Sequence, residues 1–205
     1  MKKLSSVLVL ALSLVVGWGD QALARPEGWY TYWGLGTGWP TYSGTTGEVV
    51  DSFGGERIVI NMELLGFYWP VPSLSDRTIL GFVLLNMTAD TYTKGDAELF
   101  VGNALFFGPS FMHFFGTEPG SGLFLRTDLG MATTSINYYP DKESCQNCYT
   151  EVSGTNKDGF GVLLGTGYGL PVSAGTRLLF NVNYTLQRYG ADTYTAWGVG
   201  LGLLM

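Results

Sequence analysis

The sequence predicts an all-β protein, an eight-stranded antiparallel up-and-down transmembrane β-barrel, and three observations lead there. Large apolar side chains alternate with glycine, asparagine and other small or polar residues at period two in eight separate segments, the signature of strands with two unlike faces. Charge is sparse, at 14% of 205 residues, yet the mean hydropathy of +0.16 is too low for a bundle of apolar helices. The longest charge-free windows are broken by several of the 30 glycines and by proline, so none has the sustained apolar character of a helix in lipid.

The elements follow in chain order. Lys2 and Lys3, the stretch SSVLVLALSLVV and the small-x-small site Ala22-Leu23-Ala24 read as a signal peptide over residues 1–24 that is cleaved on export, leaving 25–205 as the barrel domain. The first strand covers 29–39, with Trp29, Thr31, Trp33, Leu35 and Trp39 on one face and Tyr30, Tyr32, Gly34, Gly36 and Gly38 on the other. Residues 57–69 set Ile58, Ile60, Met62 and Leu64 against Val59, Asn61, Glu63 and Leu65. Residues 78–91 set Val83, Leu85 and Met87 against Leu84, Asn86, Thr88 and Asp90. Over 99–115 the pattern places Leu99, Val101, Leu105 and Phe107 against Gly102, Ala104, Phe106 and Gly108, and Asn103 on the apolar face predicts a bulge.

The later strands alternate more cleanly. In 123–136, Leu123, Leu125, Leu129 and Met131 oppose Phe124, Arg126, Asp128, Gly130 and Ala132. In 160–170 the apolar face opposes Gly161, Leu163, Gly165, Gly167 and Gly169. In 178–188, Leu178, Phe180, Val182, Tyr184 and Leu186 oppose Leu179, Asn181, Asn183, Thr185 and Gln187. The last strand sets Trp197, Val199, Leu201, Leu203 and Met205 against Gly198, Gly200, Gly202 and Leu204. First and last strands share one pattern, as strands meeting at a closure seam would. The even-numbered connections are short turns (VPSLSDR, TEPGSG, SAGTR), whereas the odd-numbered ones are longer on the whole: PTYSGTTGEVVDSFGGE, TKGDAE, PDKESCQNCYTEVSGTNKDG and a short GADTY. Short turns at one end and longer loops at the other are the plan of transmembrane barrels, with the short turns periplasmic.

Which face meets lipid follows from volume. An eight-stranded barrel has room inside for modest side chains only, so the glycine and asparagine face is expected inside and the bulky face in hydrocarbon. Backbone groups in lipid are satisfied only if the sheet closes. Aromatic girdles are expected at both interfaces, from Trp29, Trp69, Tyr68, Phe111, Phe114 and Phe115 at one end and Trp39, Tyr92, Tyr138, Tyr139 and Tyr189 at the other. The mature chain carries 9 basic and 16 acidic residues, which leaves no basic face for nucleic acid.

The stretch GPSFMHFFGTEPGSGLFLRTDLGMA (Gly108–Ala132), together with the glycine-alternating TAWGVGLGLLM at the end, resembles the small eight-stranded outer-membrane β-barrel proteins of Gram-negative bacteria. The resemblance implies a bacterial outer-membrane location, contact with membrane lipid, and recognition of the C-terminal strand by the assembly machinery. Met205, apolar and in phase, stands where such barrels usually end on an aromatic residue. A monomer without cofactor or metal is expected, whose outward loops, if anything, contact an extracellular ligand.

The candidate site is luminal and polar. Asn61, Glu63, Asn86, Asp90, Arg126, Asp128, Asn181, Asn183 and Gln187 fall on inner faces and are expected to form one hydrogen-bonded and ion-paired network, because an unpaired charge there is costly. Two alternatives start from single residues. A narrow gated channel would have Arg126 exchange partners between Glu63 and Asp128. A lipid A-modifying enzyme of the deacylase kind would need His113, the one histidine, yet the neighbours two residues away are Phe111 and Phe115 and Ser110 lies on the opposite face. Cys145 and Cys148, two cysteines in an exported chain, are expected to pair as a disulfide.

Overall fold

The computed structural model describes residues 28–140, 152–153 and 157–205; the signal peptide expected over 1–24 and the cysteines Cys145 and Cys148 lie outside them. Eight long strands close into a barrel: β1 (Tyr30–Tyr42), β2 (Glu56–Val71), β3 (Ser75–Lys94), β4 (Ala97–Phe114), β5 (Gly122–Tyr139), β7 (Lys157–Pro171), β8 (Arg177–Tyr189) and β9 (Asp192–Leu204). A two-residue strand, β6 (Val152–Ser153), adds to the upper end of β5. Each long strand pairs antiparallel with its neighbours, and β1 meets β9 to complete the ring. At that seam the matching patterns lie face to face: Gly34, Gly36 and Gly38 pair with Gly202, Gly200 and Gly198, and Trp39 pairs with Trp197.

Strand lengths are uneven. At roughly 3.3 Å per residue and a tilt of about 40°, ten residues cross the apolar band. The 13 residues of β1, β8 and β9 exceed that modestly, whereas the 20 of β3 and the 18 of β4 and β5 rise well above it as a wall on one side. The β3–β4 connection, expected as a longer loop, is a two-residue turn at Gly95 and Asp96, because the strands absorb the flanking residues; Gly95 takes the positive φ of 61° that such a turn needs.

Strands β1, β5, β7, β8 and β9 keep the expected faces. In β2 to β4 the alternation slips by one residue at a common level. Two steps of β1 (Tyr32 to Gly34) face three of β2 (Gly66 to Glu63), and four steps of β4 (Phe106 to Ser110) face three of β5 (Met131 to Asp128). Leu65 (φ 65°) and Phe107 (φ 49°) carry the two irregularities, and Leu64, Leu85 and Phe106 are paired across the three strands between them. An extra residue exchanges inside for outside beyond it.

Several expected faces are corrected as a result. Leu99, Val101 and Leu105 are buried in the lumen with Asn103, Val83 is buried as well, and Gly102, Ala104 and Phe106 take the outer face. Four of the expected girdle residues, Tyr68, Phe114, Tyr92 and Tyr189, also point inward. Trp29, Trp39, Trp69, Phe111, Phe115 and Tyr139 lie exposed.

The interior is layered. At the end of the short turns, Tyr32, Tyr68, Ile79, Met112, Phe114, Phe124, Leu179 and Leu204 form an apolar cluster. Glycine makes room for its rings: a Cβ on Gly202 would lie 2.3 Å from the Tyr32 hydroxyl oxygen, and one on Gly167 would lie 2.9 Å from the Phe124 ring. Polar layers follow, and at the opposite mouth Tyr92, Leu99 and Val101 pack under a helix.

That helix, α1 (Gly44–Phe53), lies within the first long connection, where only loop was expected. Its Thr46 and Val50 are buried against the mouth with Phe53 packed behind, the i, i+4, i+7 spacing of a short amphipathic helix. The Ser43 hydroxyl bridges to Thr193 on β9, and Asp192 accepts the Thr45 backbone N–H at 3.1 Å in its place. Gly54 (φ 64°) ends the helix, its N–H donating to the Val50 carbonyl at 3.2 Å.

Candidate functional site

The luminal polar residues sort into separate centres. The first is Arg126, which inward phase on β5 places at the middle of the barrel with 2% exposure. Its Nη2 lies 2.6 Å from Asp128 Oδ2 and its Nε donates to Asp128 Oδ1 at 3.1 Å, two positions along the same face. Its Nη1 pairs with Glu63 Oε2 on β2. Asn183 donates to the other Glu63 oxygen at 3.1 Å, and the Ser110 hydroxyl donates to Asp128 while sharing a 2.9 Å hydrogen bond with Tyr68. The guanidinium lies over the Tyr32 ring at 4.7 Å, and the Tyr32 hydroxyl accepts from Asn181 at 2.8 Å. One cation thus joins β2 and β5 and is held in its plane by groups from β1, β4 and β8.

The second centre is Asp90, fully buried on β3. Arg57 binds it through both oxygens, Nε to Oδ1 at 2.9 Å and Nη2 to Oδ2 at 2.6 Å, while Tyr42 and Tyr92 donate to Oδ2 at 2.8 and 3.0 Å. Arg57 also donates to the Pro40 carbonyl at 2.9 Å, and Asn103 donates to the Tyr42 hydroxyl at 3.2 Å. Gln187 stands apart, accepting from Tyr189. Asn61 lies over the seam glycines, its Nδ2 2.9 Å from where a Cβ on Gly38 or Gly198 would be. Asn86 is buried on the inner face of β3.

All nine expected luminal residues therefore face inward, but as several centres and not one network. Arg57, Ser110, Tyr32, Tyr42 and Tyr68 belong to those centres and were not expected there. Arg57 was legible, since it shares the phase of Asn61 and Glu63. Tyr68 was not, because it lies beyond the slip in its strand, whereas Ser110 already fell on the face opposite His113. A further ion pair, Lys157 with Asp192, joins β7 to β9 at the helix-bearing mouth. Beside Glu63, Asn61 and Asn183 the packing leaves an opening of about 10 Å³, room for one water.

His113 is on the outer face near the short turns. Its Nδ1 lies 2.9 Å from the hydroxyl of Thr78, which is 2% exposed, and its ring packs edge-on against Phe115. Ser110 is turned inward to Asp128.

Neither a family model nor a curated protein matches the sequence. Solved structures do share its shape. Ail, the attachment invasion locus protein of Yersinia pestis, in complex with the heparin analogue sucrose octasulfate, superposes with a TM-score of 0.50 at 9% identity, over 87% of this chain and 99% of that one. Neisserial surface protein A gives 0.49 at 11% identity, over 86% and 96%. The N-terminal β-barrel domain of Pseudomonas aeruginosa OprF gives 0.42 at 15% identity, over 87% and 100%. The similarity to Ail is one of fold: a closed eight-stranded up-and-down barrel.

Proposed function

We propose that the chain is an integral protein of a bacterial outer membrane, a monomeric barrel whose interior is structural filling and whose helix-bearing mouth faces the cell exterior as a contact surface. The observation that carries this is the exchange of polarity between faces. Leu35, Trp39, Ile58, Phe82, Phe107, Leu123, Leu125, Phe160, Val182 and Leu201 stand out from the ring, each 45% exposed or more, while Arg126, Asp128 and Asp90 are sealed inside. Exposed in water, such a band would far exceed the apolar patches that soluble monomers tolerate; in hydrocarbon it is the stable arrangement.

Export through a cleaved 1–24 segment, recognition of β9 by the assembly machinery, and pairing of Cys145 with Cys148 belong to this proposal. Cell fractionation with heat-modifiable gel migration tests it. The folded protein is expected in the outer-membrane fraction and to run faster unheated than boiled; a protein stable and monodisperse in detergent-free buffer would sink the proposal.

The two alternatives find less support. His113 has its hydroxyl partner buried and lies at the end expected to be periplasmic, away from lipid A in the outer leaflet. Arg126 is held by both carboxylates at once, within a packed layer and above an apolar cluster. Planar-bilayer recordings are expected to show no conductance steps.

A further inference from the structure

Above the Asp90 centre, α1 stands off from the wall of β3, β4 and β5 and leaves a cleft of about 510 Å³, within the range of pockets that enclose a small ligand. Val49 and Phe53 of the helix line one side, and Leu99, Ile136 and Tyr138 line the other. Phe53 and Tyr138 meet edge-on across it, their ring centroids 6.0 Å apart. Leu99 belongs to the apolar cluster beneath the helix, so the cleft has an aliphatic floor.

Among the described residues the charge lining this cleft has one sign: Lys94 and Lys157 both contribute, and no aspartate or glutamate does. Lys157 is neutralised by Asp192, whereas Lys94 donates to the Phe53 carbonyl at 3.2 Å and forms no ion pair with a carboxylate of the described residues. An ammonium has three donors, so Lys94 keeps capacity for an anion at the edge of an apolar slot.

We propose that this cleft binds an amphiphile with one anionic head and a medium-length acyl body, the head on Lys94 and the chain between Val49 and Ile136. A cationic amphiphile would meet like charge there, and a neutral one would lose the charge-assisted hydrogen bond. The proposal deepens the contact-surface reading by naming a ligand class, but its measurement needs only the folded barrel and not its cellular location.

The test uses the folded chain in zwitterionic phospholipid nanodiscs, equilibrium dialysis of labelled decanoate, and empty nanodiscs as the baseline. Saturable binding near one decanoate per barrel is expected, with decanol weaker and decyltrimethylammonium at baseline. Lys94→Gln should weaken decanoate by about ten-fold or more. Val49→Asp, on a half-exposed helix position, should abolish binding while heat-modifiable migration is kept. Decanoate at the empty-disc baseline, unchanged binding in Val49→Asp, or equal binding of the cationic amphiphile would each overturn the proposal. Fractionation reports on location alone and dialysis on the cleft alone, so the two failures are distinct.

Discussion

Strands β2, β3 and β4 make one side of the barrel and β5, β7, β8, β9 and β1 the other, and the two sides fill the lumen differently. The first side sends in bulk: Tyr68, Val83, Leu99, Val101, Leu105, Met112 and Phe114 are all buried. The second side buries Tyr32, Phe124, Leu163, Leu179, Tyr194 and Leu204 as well, but keeps an unbroken alternation and offers glycine beside Leu105. A Cβ on Gly161 of β7 would lie 2.8 Å from Leu105 Cδ1 of β4, and one on Gly130 of β5 would lie 3.2 Å from it. An eight-stranded interior cannot take large side chains from every strand at one level, and at the level of Leu105 the strands beside it are small. Charge follows a related division, since Glu63 on the slipped side and Asp128 on the regular side both rely on Arg126 of the regular side.

The sharpest way to break this comparison is to remove the slip. Deleting Leu65 puts the outer half of β2 out of phase with its neighbours and turns Glu63 and Asn61 toward lipid. The expected result is no heat-modifiable folded species after refolding into vesicles. Next in size is Arg126→Ala, which leaves Glu63 and Asp128 buried without their cation. Urea unfolding from lipid vesicles should show a loss of about 3–5 kcal/mol, and a loss below about 1 kcal/mol would mean that the two halves are not joined through this residue.

A smaller effect is expected where bulk meets glycine. Gly161→Val pushes into Leu105 and should cost about 1–3 kcal/mol by the same assay, with partial recovery in the double variant with Leu105→Ala. The smallest perturbation reads the faces directly. With Cys145 and Cys148 replaced by serine, Val182→Cys should react with a lipid-soluble maleimide in vesicles and Val83→Cys should not. Equal reaction at both positions would show that β3 keeps the regular phase.

What was legible in the sequence divides along the same line. The faces of Leu123 to Ala132, of Gly161 to Gly169 and of Trp197 to Leu204 read correctly because nothing interrupts their alternation. Asn61, Glu63, Asn86 and Asp90 also read correctly, since each lies on the outward-loop side of the slip within its own strand. Leu99 to Leu105 read inverted, because the strand was phased from Phe107, a residue on the slip itself. A bulge in β4 was signalled by Asn103, yet the residue that carries it is Phe107. Neither Leu65 nor Phe107 is a type that advertises a positive φ. Helix α1 was legible only as valines and a phenylalanine in a glycine-rich loop, too short a run for its period to stand out.

By itself the sequence determined that strands of two-faced character close on one another through matched glycine stripes, because period-two patterning is a local property that each segment carries alone. It also determined that Glu63, Asp90, Arg126 and Asp128 turn inward, each in phase with the small-residue face of its strand. Tertiary structure alone decided how those charges partition into an Arg126 centre and an Asp90 centre, and where bulk meets glycine. Those outcomes depend on register between strands distant in sequence, and a single extra residue shared by three neighbouring strands resets that register without changing the composition of any of them.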